Sequence, residues 1–343
     1  FQLEAAQAIF ENRGGLVAGR GGSGKSFLLS LTKALFEKAG YTVDVIAFTH
    51  VQASNVTGET ILHHLHSKIH SKQHVIIIDE SSQVPLRIWA ALATMKFTGS
   101  LFVVLGDVAG QLPPIADQHR EELWSTIDQS DFMHQLVGGL RVELNKFRRG
   151  GDQAHFDFVG SIYPQHTCLA DALCQARERY PIRRSDLAAA TTLCVTNKCR
   201  IAINRRVNNH LAPVSACLVK CDGKDESAQD MKLWAGILLQ AATTDRKHLK
   251  NALRYKVLDT PRETTELVNV NDLGEAVGEP FSLPTANVPA LLRLCHACTF
   301  DSSQARTLYG NVRLTQTSHP RMTLRRLIVG LGRAPEGAQL EVE

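Results

Sequence analysis

The sequence predicts an α/β protein whose first half is a doubly wound parallel sheet, and three stretches predict it. Gly19-Arg-Gly-Gly-Ser-Gly-Lys-Ser26 satisfies the phosphate-loop pattern G-x-x-x-x-G-K-[ST] at every fixed position. Val75-Ile-Ile-Ile-Asp79-Glu80 is an unbroken apolar run that ends in two carboxylates. Leu101-Phe-Val-Val-Leu105 is a second such run and ends at Gly106-Asp107. Continuous apolar strands are those buried on both faces of a parallel sheet. Polar residues delivered at their C-terminal ends lie on the edge where such sheets bind ligands.

Taken in order, Leu3–Phe10 reads as a helix carrying Gln7. An amide there can read an adenine edge with one donor and one acceptor, or simply face solvent. Gly15-Leu-Val-Ala18 is a short strand running into the loop. Gly21, Gly22 and Gly24 carry no side chain, so successive N–H groups can turn inward around a phosphate. Lys25 brings positive charge to the terminal phosphates, and the Ser26 hydroxyl is a ligand for Mg2+. The helix beginning at Phe27 points its partially positive N-terminus at the anion. Gly19, Gly21, Gly22, Ser23, Gly24, Lys25, Ser26 and Phe27 are therefore the expected ATP contacts, with Gln7 beside the base.

Val43–Phe48 is the next strand and leads into Thr49-His50, then Thr57-Gly-Glu-Thr60. Small hydroxyl residues there either hold a nucleic-acid phosphate or cap the next helix. Asp79 is expected in the magnesium shell, and Glu80 to orient and deprotonate the attacking water. Gln111, before Leu112-Pro-Pro114, is expected to touch the γ-phosphate.

A length of 343 residues suggests two domains, and 44% hydrophobic content suffices for buried cores. The net charge of +4 suits a polyanion partner. No apolar run approaches membrane-spanning length and the N-terminus is no signal peptide, so an intracellular protein is expected. A start at Phe1 without Met suggests a piece of something larger. All eight cysteines lie from Cys168 onward, which does not resemble a secreted disulfide framework and favours a reducing interior. Cys295-His-Ala-Cys298 and Cys217…Cys221 are pairs without a partner pair at zinc-site spacing. In the histidine-rich run 62–74, His66 and His70 stand at i, i+4 spacing; a basic surface helix is the favoured reading over a metal site.

These motifs together resemble a superfamily 1 helicase, of the 1B branch that holds the petite-integration-frequency and RecD-like helicases. The phosphate loop, Asp79-Glu80-Ser81-Ser82 and Gly106-Asp107…Gln111-Leu-Pro-Pro114 follow that family's motifs in order. The resemblance implies two RecA-like domains with parallel sheets: residues 1–138, then 139–211 with 289–343, carrying a small SH3-like β-barrel insertion at 212–288. Thr57–His63 resembles the segment by which the family's first domain grips single-stranded DNA. Leu144-Asn-Lys-Phe-Arg148-Arg149 resembles the opening of the second domain, with Arg148 reaching across to the ATP phosphates. Cys194-Val-Thr-Asn197 and His296-Ala-Cys-Thr299…Ser303-Gln304 resemble later motifs, the second of which contacts DNA. Leu327–Ala334 resembles the last motif, whose Arg333 stabilises charge on the transferring phosphate. Thr49, His50, Thr60, His63, Asn197, Thr299, Ser303 and Gln304 are the implied nucleic-acid contacts.

The resemblance implies an ATP- and Mg2+-dependent helicase moving 5′ to 3′ on single-stranded DNA, in replication, repair or recombination. Two other readings share the motifs: a viral-type superfamily 1 RNA helicase, and a scaffold that binds nucleotide and nucleic acid without unwinding. Asp301, Ser302 and Ala305 stand where the family has a histidine, a lysine and a glycine, and Gly332 where it has a serine. An acid in place of a base is expected to weaken contact with a phosphate backbone. The stretch between Ile61 and Val75 is shorter than the segment the family inserts there, which includes a wedge that helps split the duplex.

Overall fold

A computed structural model describes residues 2–67, 73–97, 99–148, 151–164, 167–184, 186, 188, 190–221, 228–245, 247–260 and 263–343. The chain forms two compact units, 1–166 and 167–343.

The first unit is built on six parallel strands: β1 (Gly15–Gly19), β2 (Thr42–Ala47), β3 (Glu59–Thr60), β4 (His74–Asp79), β5 (Leu101–Gly106) and β6 (Arg141–Leu144). Their order across the sheet is β3-β2-β4-β5-β1-β6. The apolar runs dictate this arrangement, because alternate side chains of each strand face opposite layers. Ile76 and Ile78 join Ile46, Phe102 and Val104 against Trp89 and Leu92 of helix Leu86–Phe97. Val75 and Ile77 join Val17, Val103 and Leu105 against Ile9, Leu28 and Phe36. Each of these side chains is at most 4% exposed. β4 is buried along its whole length, between β2 and β5.

The boundary expected at 138/139 moves to 166/167. Leu16–Gly19 of β1 pair in parallel with Arg141–Leu144, so β6 completes the first sheet. The helix Gln153–Ser161 follows in the same unit.

The second unit carries a four-stranded parallel sheet of β7 (Thr191–Cys194), β15 (Ala297–Thr299), β16 (Val312–Leu314) and β17 (Leu340–Val342), ordered β15-β7-β16-β17. Between its first two strands in the chain runs antiparallel structure. β8 (Cys217–Val219) pairs with β9 (Met231–Leu233). β10 (Leu238–Ala241), β11 (Arg254–Asp259), β12 (Thr264–Val270), β13 (Phe281–Pro284) and β14 (Leu292–Leu294) form a half-barrel in the order β13-β12-β11-β10-β14. The antiparallel part thus reaches Leu294, past the expected 288. Its alternating burial is that of strands with one wet face, for example Tyr255 and Val257 inward with Arg254 and Lys256 outward.

Ile77 lies at the centre of β4 with 0% exposure. Ile77→Ala is expected to lower unfolding free energy by about 2–5 kcal/mol, read from urea melts, with a surface control such as Lys33→Ala within about 0.5 kcal/mol of the parent.

Candidate nucleotide site

The phosphate loop follows β1 and ends in helix Lys25–Lys38. Gly22 and Gly24 have φ of 85° and 89°, a conformation that side-chain-bearing residues rarely adopt. A Cβ on Gly24 would meet the Gln2 amide nitrogen at 2.3 Å. Lys25 is 8% exposed, and its ammonium donates to the carbonyls of Gly19 (2.7 Å) and Arg20 (3.3 Å). Ser23 Oγ is buried with no hydrogen-bond partner among the described residues. A loop that curls its glycines, holds a lysine by its own carbonyls and orphans a hydroxyl fits an oxyanion ligand.

The neighbouring strand ends supply acid. Asp79 closes β4 and is 6% exposed. Burial raises its carboxyl to about 7, the charge of Glu80 adds to this, and Lys25 opposes it. Glu80 stands in the left-handed region at φ 50°, a strained backbone for a residue with a side chain. Asp107, after β5, is 7% exposed; burial raises its carboxyl, and Lys25 again pulls the other way. Its Oδ2 accepts from the Tyr163 hydroxyl (2.7 Å) and its Oδ1 from Gly110 N (2.9 Å). A Cβ on Gly110 would sit 2.3 Å from Tyr163 Oη, so a side chain there would push the tyrosine away from Asp107. Two deeply buried acids in the field of one lysine fit a magnesium ion that Ser26 and Asp79 would hold.

Gln111 is 5% exposed and its N–H donates to Asp107 O (3.1 Å). Gln83 Nε2 donates to Leu112 O at 3.0 Å and ties the acidic motif to the Gln-Leu-Pro-Pro turn. Trp124 Nε1 donates to Ser82 O at 3.1 Å and closes the same region from below. Beside the loop's first half opens a cavity of about 620 Å3, lined by Arg20, Asp107, Asp128, Glu143, Asp157 and Tyr163 among others. It is acidic and does not include Lys25 or Ser26, so it adjoins the phosphate cradle rather than forming it.

Two expected positions differ. Gln7 is exposed and its amide donates to Glu11 (2.9 Å) one helical turn on. Gln2 is the glutamine that reaches the loop, donating to Gly24 O at 3.1 Å. Nothing in the helical pattern separates the two, because only the docking of helix Gln2–Glu11 decides which amide meets the loop. Arg148, expected to open the second domain, lies in the first unit, where its N–H donates to Gly22 O (2.8 Å). Its side chain is exposed and borders Gly24. Arg149 and His70 lie outside the described residues. Arg20, unremarked in the sequence, stacks its guanidinium 4.1 Å above Phe156 and donates to Phe156 O (3.2 Å). Phe27 is 58% exposed at the start of the loop helix.

The candidate nucleic-acid residues divide between surface and frame. Thr49 caps helix His50–Asn55 in a capping box with Gln52. Thr60 Oγ1 accepts from His63 N (3.4 Å), while the His63 ring is exposed beside Glu59. In the second unit Asn197 accepts from Arg200 Nε (3.1 Å), and Thr299 bonds Ser302. Ser303 is fully buried and donates to Phe300 O (2.8 Å); Gln304 is half-buried beside it. Asp301 is held by Arg326 through contacts of 3.3 Å, so its charge is met within the unit. Ala305 has φ 61°, in the left-handed region that favours glycine. Arg333 is 5% exposed, and its guanidinium donates to Val329 O (2.9 Å), Ser303 O (3.3 Å) and Arg306 O (3.2 Å). It fastens the turn at 303–306 to the end of helix Leu324–Leu331.

A parallel sheet with a phosphate loop after one strand and buried carboxylates at the ends of the next two strands across the sheet defines a P-loop nucleotide-binding fold. Residues 1–136 match the family model described as AAA domain. Over its whole length the chain has the fold of the Pif1 helicases. Bacteroides Pif1 bound to single-stranded DNA aligns with a TM-score of 0.69 at 20% identity, covering 99% of this chain and 91% of that one. The same helicase in complex with ADP-AlF3 and single-stranded DNA aligns at 0.68 and 20%, covering 99% and 92%. Pif1 helicase from Candida albicans aligns at 0.67 and 19%, covering 99% and 93%. No curated protein matches the sequence. Among the described residues no helix is long and apolar enough to cross a membrane.

Gln2→Ala is expected to weaken nucleotide binding about 5-fold, the worth of about 1 kcal/mol of hydrogen bonding, while Gln7→Ala leaves it unchanged; calorimetric titration reads both. Because the Asp79 carboxyl rises from 3.8 to about 7 on folding, its contribution is intact below 3.8 and is lost as pH climbs through about 7. Asp79→Asn is therefore expected to stabilise the nucleotide- and magnesium-free protein above pH 7, with the gain fading toward pH 4, in thermal melts across that range.

Proposed function

We propose that the chain is an ATP-dependent helicase acting on single-stranded DNA. The observation that carries the reading is the convergence at one sheet edge: Lys25 lies near enough to Asp79 and Asp107 to act on both carboxyls. Lys25 and the loop N–H groups hold the phosphates, and Gln111 reads the terminal one. Ser26 and Asp79 would hold magnesium, which would supply charge neutralisation at the phosphates. Glu80, on its strained turn at the mouth of β4, orients water and takes its proton. Arg148, bonded through its N–H to Gly22 O, stands beside the loop to meet charge on the transferring group. Arg333 is assigned to the same charge, which requires its guanidinium to leave three carbonyls. Thr49, His50, Thr60 and His63 are assigned the first unit's grip on the strand, and Asn197, Thr299 and Gln304 the second unit's, with buried Ser303 supporting that turn from within. Hydrolysis alters that grip and yields stepwise movement, 5′ to 3′ by resemblance.

Single-stranded DNA is expected to stimulate ATP turnover more than RNA of the same sequence, and the reverse ranking points to the RNA-helicase reading. Glu80→Gln is expected to cut stimulated turnover by about 10²–10⁴-fold with nucleotide binding retained. Strand displacement of a forked duplex run in parallel tests motion: turnover without displacement identifies a scaffold.

A further inference from the structure

At the N-terminal end of β4, remote from the nucleotide edge, the first unit gathers a second set of chemically able side chains. We propose that Asp44, His64 and His74 bind a divalent transition-metal ion of the zinc class. Asp44 comes from β2, His74 opens β4, and His64 lies in helix Ile61–Ser67. Their donor atoms all lie within 4.8 Å of one another. His74 Nε2 is 2.8 Å from Asp44 Oδ2, and His64 Nδ1 is 3.7 Å from the same oxygen. Bonds of about 2.0–2.1 Å in a tetrahedral zinc site set neighbouring donors about 3.3 Å apart, between these two spacings.

The surroundings resemble the outer layer of a metal site. His74 Nδ1 bonds Ser100 Oγ at 3.1 Å, and Ser100 is 1% exposed. A hydrogen bond on that nitrogen fixes the ring and turns Nε2 toward the ion. The two imidazoles stack at 5.9 Å and 20°, and are 0% and 2% exposed. Glu59 of β3 lies 2.9 Å from His64 Nδ1 and adds negative charge beside the three donors. Binding would clamp Glu59-Thr60 and helix Ile61–Ser67 onto β2 and β4.

The site is not the pair suggested by helical spacing, for His66 is exposed while His64 is buried. It is also separate from the phosphate loop: His74 and Asp79 stand at opposite ends of β4, about 17 Å apart along a strand. The proposal therefore does not depend on the nucleotide reading.

The test uses the whole chain, loaded with Zn2+, passed over a chelating resin and analysed for metal. About one Zn2+ per chain is expected to remain, to be lost in His64→Ala/His74→Ala, and to persist in His66→Ala. Cobalt in place of zinc is expected to give visible d–d bands without thiolate charge-transfer absorption, which excludes the eight free cysteines as ligands. Should the double variant fail to fold, the melting temperature of the unaltered chain decides: Zn2+ raises it and a chelator reverses the rise. A chain that retains no Zn2+ with its melting temperature unmoved would overturn the proposal. So would thiolate bands from cobalt, or metal lost with His66→Ala.

Discussion

The first unit depends on a single charge held in a difficult place. The Lys25 ammonium is nearly buried and is supported by two loop carbonyls, with Asp79 and Asp107 in its field. Neither acid can ionise cheaply at such depth, and burial outweighs the help the lysine gives them. The result is a site whose electrostatics are unsettled without ligand: a lysine spending its donors on its own loop, an orphaned Ser23 hydroxyl, and a carboxyl that titrates near neutrality. An anion with a divalent cation answers all three demands at once.

The remaining parts of that unit keep this charge arrangement rigid. β4 lies between β2 and β5 with both faces packed, so Asp79 is delivered by a strand that cannot shift without opening two cores. Gln83, Trp124 and Tyr163 then stitch the acidic turn, the Gln-Leu-Pro-Pro turn and Asp107 together. The strained φ of Glu80 persists because these bonds over-determine its surroundings.

In the second unit buried polar side chains act as internal fasteners, and an expected phosphate contact, Arg333, is among them. Asn204 is fully buried and bonds Leu294 O, Ala297 O and Ala297 N, joining helix Asn197–Leu211 to the turn between β14 and β15. Arg333 does the same for the turn at 303–306. Asp301 is answered by Arg326, so the repulsion its charge would exert on a phosphate backbone is moderated by a neighbouring guanidinium.

Sequence alone determined β1, β2, β4 and β5 of the first sheet, the loop between β1 and its helix, and the acids that end β4, because these follow from local rules: apolar runs, glycine freedom and motif spacing. It also carried the resemblance that matches the Pif1 fold. Tertiary structure alone decided which glutamine meets the loop, that Arg148 and β6 belong with the first sheet, and which histidines gather around Asp44. Gln2 and Gln7, like His64 and His66, are chemically equal on their helices. They are told apart only by which face of a helix is pressed into the protein, and that is settled by packing between segments far apart in the chain.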